Sequence, residues 1–262
     1  MKMRSLSRKK KSKEAAKLNL NAAEQKTGTI EADAFTNEQG EVLAYSLLKP
    51  NACDPSKKYP LVLFLHGAGE RGDDGQRHVK VNGCDKFASP EFMEKYPCFV
   101  LAPQCPIDYR WVEVHWGDDS HVQPAGPSVP MGIVLNLLDK FLAEFSIDQN
   151  RVYVMGISMG GFGTWDIIAR RPDFFAAAVP ICGGGDEGAA PRIAHIPIWA
   201  FHGDKDESVK VERSRNMISA LKSAGGNPRY TEYPGMGHAS WVPAFNDPGL
   251  FEWLFSQRKP GG

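Results

Sequence analysis

The chain has 262 residues, 42% of them hydrophobic, 10% aromatic and 24% charged. That is ordinary globular usage, which excludes a collagen-like, wholly disordered or disulfide-dense mini-protein and leaves room for one α/β core. Lys+Arg and Asp+Glu both number 31; a protein built to grip phosphate backbones carries a basic excess, so nucleic acid is not an expected partner.

The neutrality is uneven. Residues 1–17 hold eight basic side chains against the single acid Glu14, which leaves 23 basic and 30 acidic residues elsewhere. No apolar run of the ~7–15 residues needed by a secretory signal follows, and no stretch of ~18 or more apolar residues reads as membrane-spanning. The expectation is a solvated, disordered basic tail over 1–26, then one folded domain over 27–262, without membrane insertion. The default location is cytoplasmic, or secreted where a signal has been trimmed. Five scattered cysteines (Cys53, Cys84, Cys98, Cys105, Cys182) form no CxxC pair. Buried structural thiols are expected, with one bridge involving Cys98 or Cys105 as the alternative.

After the tail, Thr27–Phe35 and Glu41–Leu48 flank the turn cluster Asn37–Gly40 and predict an antiparallel hairpin. Leu61–Leu65, Phe99–Ala102, Val152–Met155 and Ile198–Phe201 are unbroken apolar runs of strand length, the pattern of strands covered on both faces. Arg229–Tyr233 is also strand-like. Apolar pairs at Ile133–Val134, Leu137–Leu138 and Phe141–Leu142 recur at helical spacing, and a second helix runs through Thr164–Arg171 to Pro172. Alternation of strand and helix predicts an α/β fold with a mostly parallel sheet of about eight strands and helices on both faces. Residues 103–130, with five prolines and two tryptophans, have no periodicity. A long loop leaving the carboxyl end of a central strand is expected to face substrate.

The chemistry concentrates in Gly156-Ile157-Ser158-Met159-Gly160, a GxSxG pattern set between an apolar strand and a helix. A serine hydroxyl needs a base, and the base needs a carboxylate to hold its tautomer. Downstream, His202-Gly203-Asp204-Lys205-Asp206-Glu207 follows a strand end, and Gly237-His238 follows the strand-like Arg229–Tyr233. The order serine, acid, histidine is kept, at separations of 48 and 32 residues. His238 is the only histidine after the acid. Asp206 is the leading acid; Asp204, directly after the turn, is better placed to hold that turn and remains the alternative. An oxyanion needs two backbone donors, and the candidates are Met159, after the serine, and Ala68 in His66-Gly67-Ala68-Gly69, where the glycines would free the backbone to turn inward. Gln104, Trp111 and Trp241 are candidate substrate contacts, each weighed against ordinary packing. His115 and His121 lack acids in a ligand pattern, so no metal is expected.

These segments resemble the α/β-hydrolase superfamily, and within it the serine esterases close to the dienelactone hydrolase, prolyl oligopeptidase-like and polyhydroxybutyrate depolymerase-like groups. The likeness rests on Leu65-His66-Gly67-Ala68-Gly69-Glu70-Arg71-Gly72, on Gly156–Trp165, on Pro180–Asp186, on His202-Gly203-x-x-Asp206-x-x-Val209 and on Gly237-His238-x-x-Trp241. The resemblance favours Asp206 as the acid and implies a carboxylic ester hydrolase working without metal or organic cofactor. It departs from dienelactone hydrolase proper in holding Ser158 where that enzyme has cysteine. The substrate expected is a small-molecule or carbohydrate-linked ester of acetyl or feruloyl type. A peptidase with the same triad and a catalytically silent binding module are the rival readings.

Overall fold

A computed structural model describes residues 30–51 and 53–259. The basic segment over 1–26 lies outside the described residues. The eight strands are β1 (Ile30–Thr36), β2 (Val42–Leu48), β3 (Tyr59–Leu65), β4 (Phe99–Pro103), β5 (Ile147–Ile157), β6 (Ala177–Ile181), β7 (Trp199–Gly203) and β8 (Arg229–Tyr233). They form one sheet in the order β1-β2-β4-β3-β5-β6-β7-β8. The β1–β2 and β2–β4 pairs are antiparallel, and every later pairing is parallel. Helices are α1 (Pro90–Lys95), α2 (Val129–Glu144), α3 (Met159–Arg170), α4 (Ala190–Ile193), α5 (Glu212–Ser223), α6 (Trp241–Asn246) and α7 (Pro248–Ser256).

The unbroken apolar runs are explained by a sheet with two dry faces. Leu61, Leu63 and Leu65 of β3 point into a core shared with α2 and α3 through Leu137, Phe141, Phe162 and Ile168. Val62 and Phe64 point the other way, against Phe87, Phe92, Phe245 and Leu250. Each such burial contributes about 1.5–3 kcal/mol. The fold is therefore held by the central strands, while the loops at their carboxyl ends are left to carry chemistry.

Strand β6 had no clear signal, because its sequence Ala-Ala-Val-Pro-Ile is short, weakly β-forming and interrupted by proline. The backbone shows why Pro180 is tolerated. Ala178 and Cys182 both donate toward the β7 side, to Pro197 O at 3.0 Å and Phe201 O at 2.8 Å. Pro180, lying between them, turns its missing N–H to the same side, and the β6–β7 ladder narrows to the Ile181–Phe201 pair and one bridge.

The long segment after β4 is pinned at intervals. Trp111 is fully buried, Gln123 accepts from Arg192 and donates to Asp166, and the Arg213 guanidinium holds Asp118 O at 2.9 Å and also meets His121. Ser128 then caps α2 by accepting from Met131 N at 3.3 Å, with Pro130 in the first turn.

Candidate active site

Ser158 sits between β5 and α3 with φ 52° and ψ −116°, a left-handed conformation that costs a non-glycine residue of order 1–3 kcal/mol. Two glycines make it possible by their lack of a side chain. A Cβ on Gly156 would lie 2.3 Å from Gly160 O, and one on Gly160 would lie 1.9 Å from Leu65 O and 2.9 Å from His66 O. The amino end of α3 is thus pressed directly against the carboxyl end of β3, and the serine is pushed out at the sheet's edge.

Three chain segments meet at that point. His238 Nε2 lies 2.8 Å from Ser158 Oγ, and His238 Nδ1 lies 2.7 Å from Asp206 Oδ2. The acceptor Asp206 fixes the proton on Nδ1 and leaves Nε2 free to take one. Asp206 is itself held by backbone donors, Ser208 N–H at 2.8 Å and Val209 N–H at 2.9 Å to Oδ1. Its side chain is fully buried while that of His238 is 26% exposed, so the line runs from a dry carboxylate to a half-buried serine. Burial by itself raises the Asp206 carboxyl, but hydrogen bonds from His202 and His238 and from Val209 N–H outweigh it and hold the group well below the usual carboxylate range. Asp204 is occupied elsewhere: its Oδ1 accepts from Gly235 N–H at 2.6 Å, pinning the turn before His238.

Ala68 and Met159 each open a helical turn, a 3-10 turn over Ala68–Glu70 and α3 respectively. The first N–H groups of a helix have no partner within it, so neither is spent inside its own turn. The reason differs from glycine flexibility. Gly67 has φ −76° and ψ 176°, which any residue adopts, and a Cβ on Gly69 would meet nothing within 4 Å. The loop is shaped instead by His66, which is fully buried. Its Nε2 accepts from Cys105 N–H at 2.9 Å, its Nδ1 meets Gly67 O at 2.6 Å, and its carbonyl accepts from Trp111 Nε1 at 3.1 Å. Burial pushes the His66 imidazole down to about 3, keeping it neutral.

Two expected substrate contacts are corrected by this geometry. Gln104 is fully buried; its Oε1 accepts from Gly75 N–H at 2.7 Å and its Nε2 donates to Glu70 O at 3.1 Å, so both ends of the amide tie loops together. Trp111 is fully buried as well, with its N–H spent on His66 and its ring edge-on to the His66 ring at 5.3 Å. Neither has surface to offer a ligand. Trp241 is different: half-buried, it stands edge-on to the His238 ring at 5.4 Å. Arg71 donates to Ala68 O at 3.0 Å and toward Tyr109 O at 3.4 Å, while Glu70 accepts from Asn82 at 2.7 Å. Each therefore braces the loop separately, without the local ion pair their adjacency suggests.

Sequence reasoning missed Cys182 and His202. Cys182 follows β6 with φ 42°, fully buried, and the Cys182, Asp206 and His238 ligand atoms lie within 4.8 Å of one another. Burial pushes the Cys182 thiol up to about 12, and Asp206 accepts hydrogen bonds on both oxygens from Ser208, Val209 and His238, so Cys182 stands beside the carboxylate as a neutral thiol. His202 was read as part of a turn, yet its imidazole is fully buried against Asp206 at 3.2 Å. The apolar run before it gave no sign that a polar ring would be drawn inward.

Comparison with known proteins agrees with this fold. The model of the dienelactone hydrolase family matches residues 132–246. A rice protein (Oryza sativa subsp. japonica) described as "Probable carboxylesterase" is 27% identical over 206 residues, covering 72% of this chain and 75% of its own length. Poly(3-hydroxyalkanoate) depolymerase C of Paucimonas lemoignei is 47% identical over 186 residues, 71% of this chain but 42% of the depolymerase. The crystal structure of a thermostable esterase superposes with a TM-score of 0.82 at 43% identity, over 87% of this chain and 63% of that one. The chain thus has the α/β-hydrolase fold and is similar to carboxylic ester hydrolases, although it spans less than two thirds of the length of the depolymerase and of the thermostable esterase.

Proposed function

We propose that the protein is a serine carboxylesterase in which Ser158, His238 and Asp206 form the triad and the N–H groups of Ala68 and Met159 receive the oxyanion. The observation that carries this is the unbroken line of hydrogen bonds from Asp206 Oδ2 through His238 to Ser158 Oγ, at 2.7 and 2.8 Å. Ser158 attacks the ester carbonyl as His238 Nε2 takes its proton; the tetrahedral oxyanion turns toward the two N–H groups; His238 returns the proton to the leaving alcohol. Water then repeats the sequence on the acyl-enzyme. Each oxyanion donor is worth about 10²–10³ in rate.

The acyl group is proposed to be short or aromatic, of acetyl or feruloyl type. Ser158 is half-buried and its partner His238 meets the Trp241 ring, and Ile107 and Tyr109 are exposed on the loop that Arg71 ties to the Ala68 turn. Aromatic and apolar surface beside the serine suits a flat or small acyl group. The relation to a poly(3-hydroxyalkanoate) depolymerase adds short hydroxyacyl esters to the same class.

The test is hydrolysis of 4-nitrophenyl esters from acetyl to dodecanoyl, with 4-nitrophenyl ferulate and a matched anilide, by wild type and Ser158→Ala. Turnover of short and feruloyl esters, little of the anilide, and loss in the variant are expected. Equal rates in the two proteins, or a preference for the anilide, would overturn the reading.

A further inference from the structure

We propose that His202 is a positioning residue for the reaction: it holds the Asp206 carboxylate from the side opposite His238 and sets how strongly that carboxylate draws the His238 proton. The role rests on the triad reading given above.

The geometry assigns its hydrogens. His202 Nε2 lies 3.2 Å from Asp206 Oδ2 and 2.9 Å from Val209 O. Both neighbours are acceptors, so Nε2 carries the proton and shares it between them. Nδ1 lies 2.7 Å from Ser214 Oγ, which is fully buried at the start of α5 and also reaches Gly183 O at 3.3 Å. With Nε2 carrying the ring's proton, the single Ser214 hydrogen goes to Nδ1, the nearer of its two acceptors, rather than to Gly183 O. Asp206 Oδ2 is therefore the shared acceptor of two imidazole N–H groups, from His202 of β7 and from His238.

A carboxylate oxygen divided between two donors presents less charge to each than one with a single donor. Without the His202 donor, the whole lone-pair density of Oδ2 falls on His238 Nδ1–H. The imidazolium is then stabilised further, and the neutral base Nε2 forms only from a higher pH upward. The carboxylate also loses a restraint on its rotation. The groups facing this cluster are few. Around Asp206 they are His202, His238 and the Cys182 thiol. Around His202 they are Ser214, the neighbouring Arg213, and Glu232 across the β7–β8 pair, with Glu232 engaged by Arg215 at 2.6 Å. Around His238 they are Asp206, Ser158 and the Trp241 ring. Among these, His202 alone joins His238 as a side-chain donor to Oδ2.

The experiment follows kcat and KM for 4-nitrophenyl acetate across pH, per active site titrated with a fluorophosphonate, in wild type, His202→Gln, His202→Leu and Ser214→Ala. Glutamine places an amide N–H where Nε2 was; leucine fills the volume without a donor. His202→Leu is expected to lose about tenfold or more in kcat with little change in KM, the worth of a hydrogen bond to a charged group. Its acid limb of kcat/KM moves to higher pH, His202→Gln restores most of both, and Ser214→Ala shifts the limb the same way by less. If His202→Leu does not fold, the Gln and Ser214→Ala profiles decide. A titrated variant set with wild-type kcat and an unmoved acid limb, whatever its melting temperature, overturns the role. A wild type that neither turns over ester nor takes up the fluorophosphonate fails the triad reading instead.

Discussion

Gly160→Ala probes the contact that joins the serine turn to the oxyanion loop. The added Cβ would stand 1.9 Å from Leu65 O, 2.5 Å from Leu65 C and 2.9 Å from His66 O. All three are backbone atoms at the end of a central strand, so no side chain can swing aside. Reaching an ordinary contact of about 3.4 Å requires α3 and β3 to part by roughly 1.5 Å, and overpacking of this kind costs about 1–3 kcal/mol or more. The same displacement separates Ser158 from Ala68, and a misplacement of about 1 Å costs about 10²-fold in rate. Thermal melting and kcat per titrated site measure the two losses separately. Gly69→Ala, two residues beyond Gly67 and with open space around its Cα, is the control and should leave both within a few per cent of wild type in melting and about twofold in rate. A Gly160→Ala variant with unchanged melting temperature and kcat would refute the inference that this close approach builds the site.

Asp206→Asn keeps the shape but places an amide against donors that need an acceptor; kcat should fall on the order of 10⁴-fold through the wrong His238 tautomer, with pre-steady-state kinetics as the check. The His66 imidazole is pushed down to about 3 from 6.5 by burial, so between those values the unfolded chain binds a proton that the native state refuses. Stability is therefore fully present above about pH 6.5 and falls on acidification, by on the order of 4 kcal/mol by pH 3. Denaturant melts from pH 7 to 4 should show this slope, and His66→Gln should flatten it by about 1.4 kcal/mol per pH unit. Cys84, Cys98, Cys105 and Cys182 are buried and unbridged while Cys53 is exposed. Iodoacetamide should therefore label one site in the native protein and all five after denaturation, without loss of esterase activity.

What could be read from the sequence is what local chemistry determines. The GxSxG turn, the acid loop and Gly237-His238 each follow a strand-like run, and the fold brings their side chains together because parallel strands all deliver their loops to one edge. Strands β3, β4 and β5 announced themselves through continuous apolar runs, whereas β6 did not, since alanines and a proline carry no β signal and only its neighbours hold it in register. Gln104 was offered to substrate because it follows a strand end, and Trp111 as an aromatic able to line a cleft; position and residue type say nothing of whether a side chain turns outward. His202 is the converse case. Its partners Asp206, Val209 and Ser214 are four to twelve residues on, but only the packing of α5 over β7 makes a buried imidazole satisfiable there.

The most direct test of the central account is intact-mass spectrometry of the protein quenched milliseconds to seconds after mixing with 4-nitrophenyl acetate. The account predicts a transient species heavier by one acetyl group, mapped by peptide sequencing to Ser158, that accumulates in His238→Ala only weakly and in Ser158→Ala not at all. An acetyl group carried on any other residue, or turnover that persists undiminished in Ser158→Ala, would contradict it.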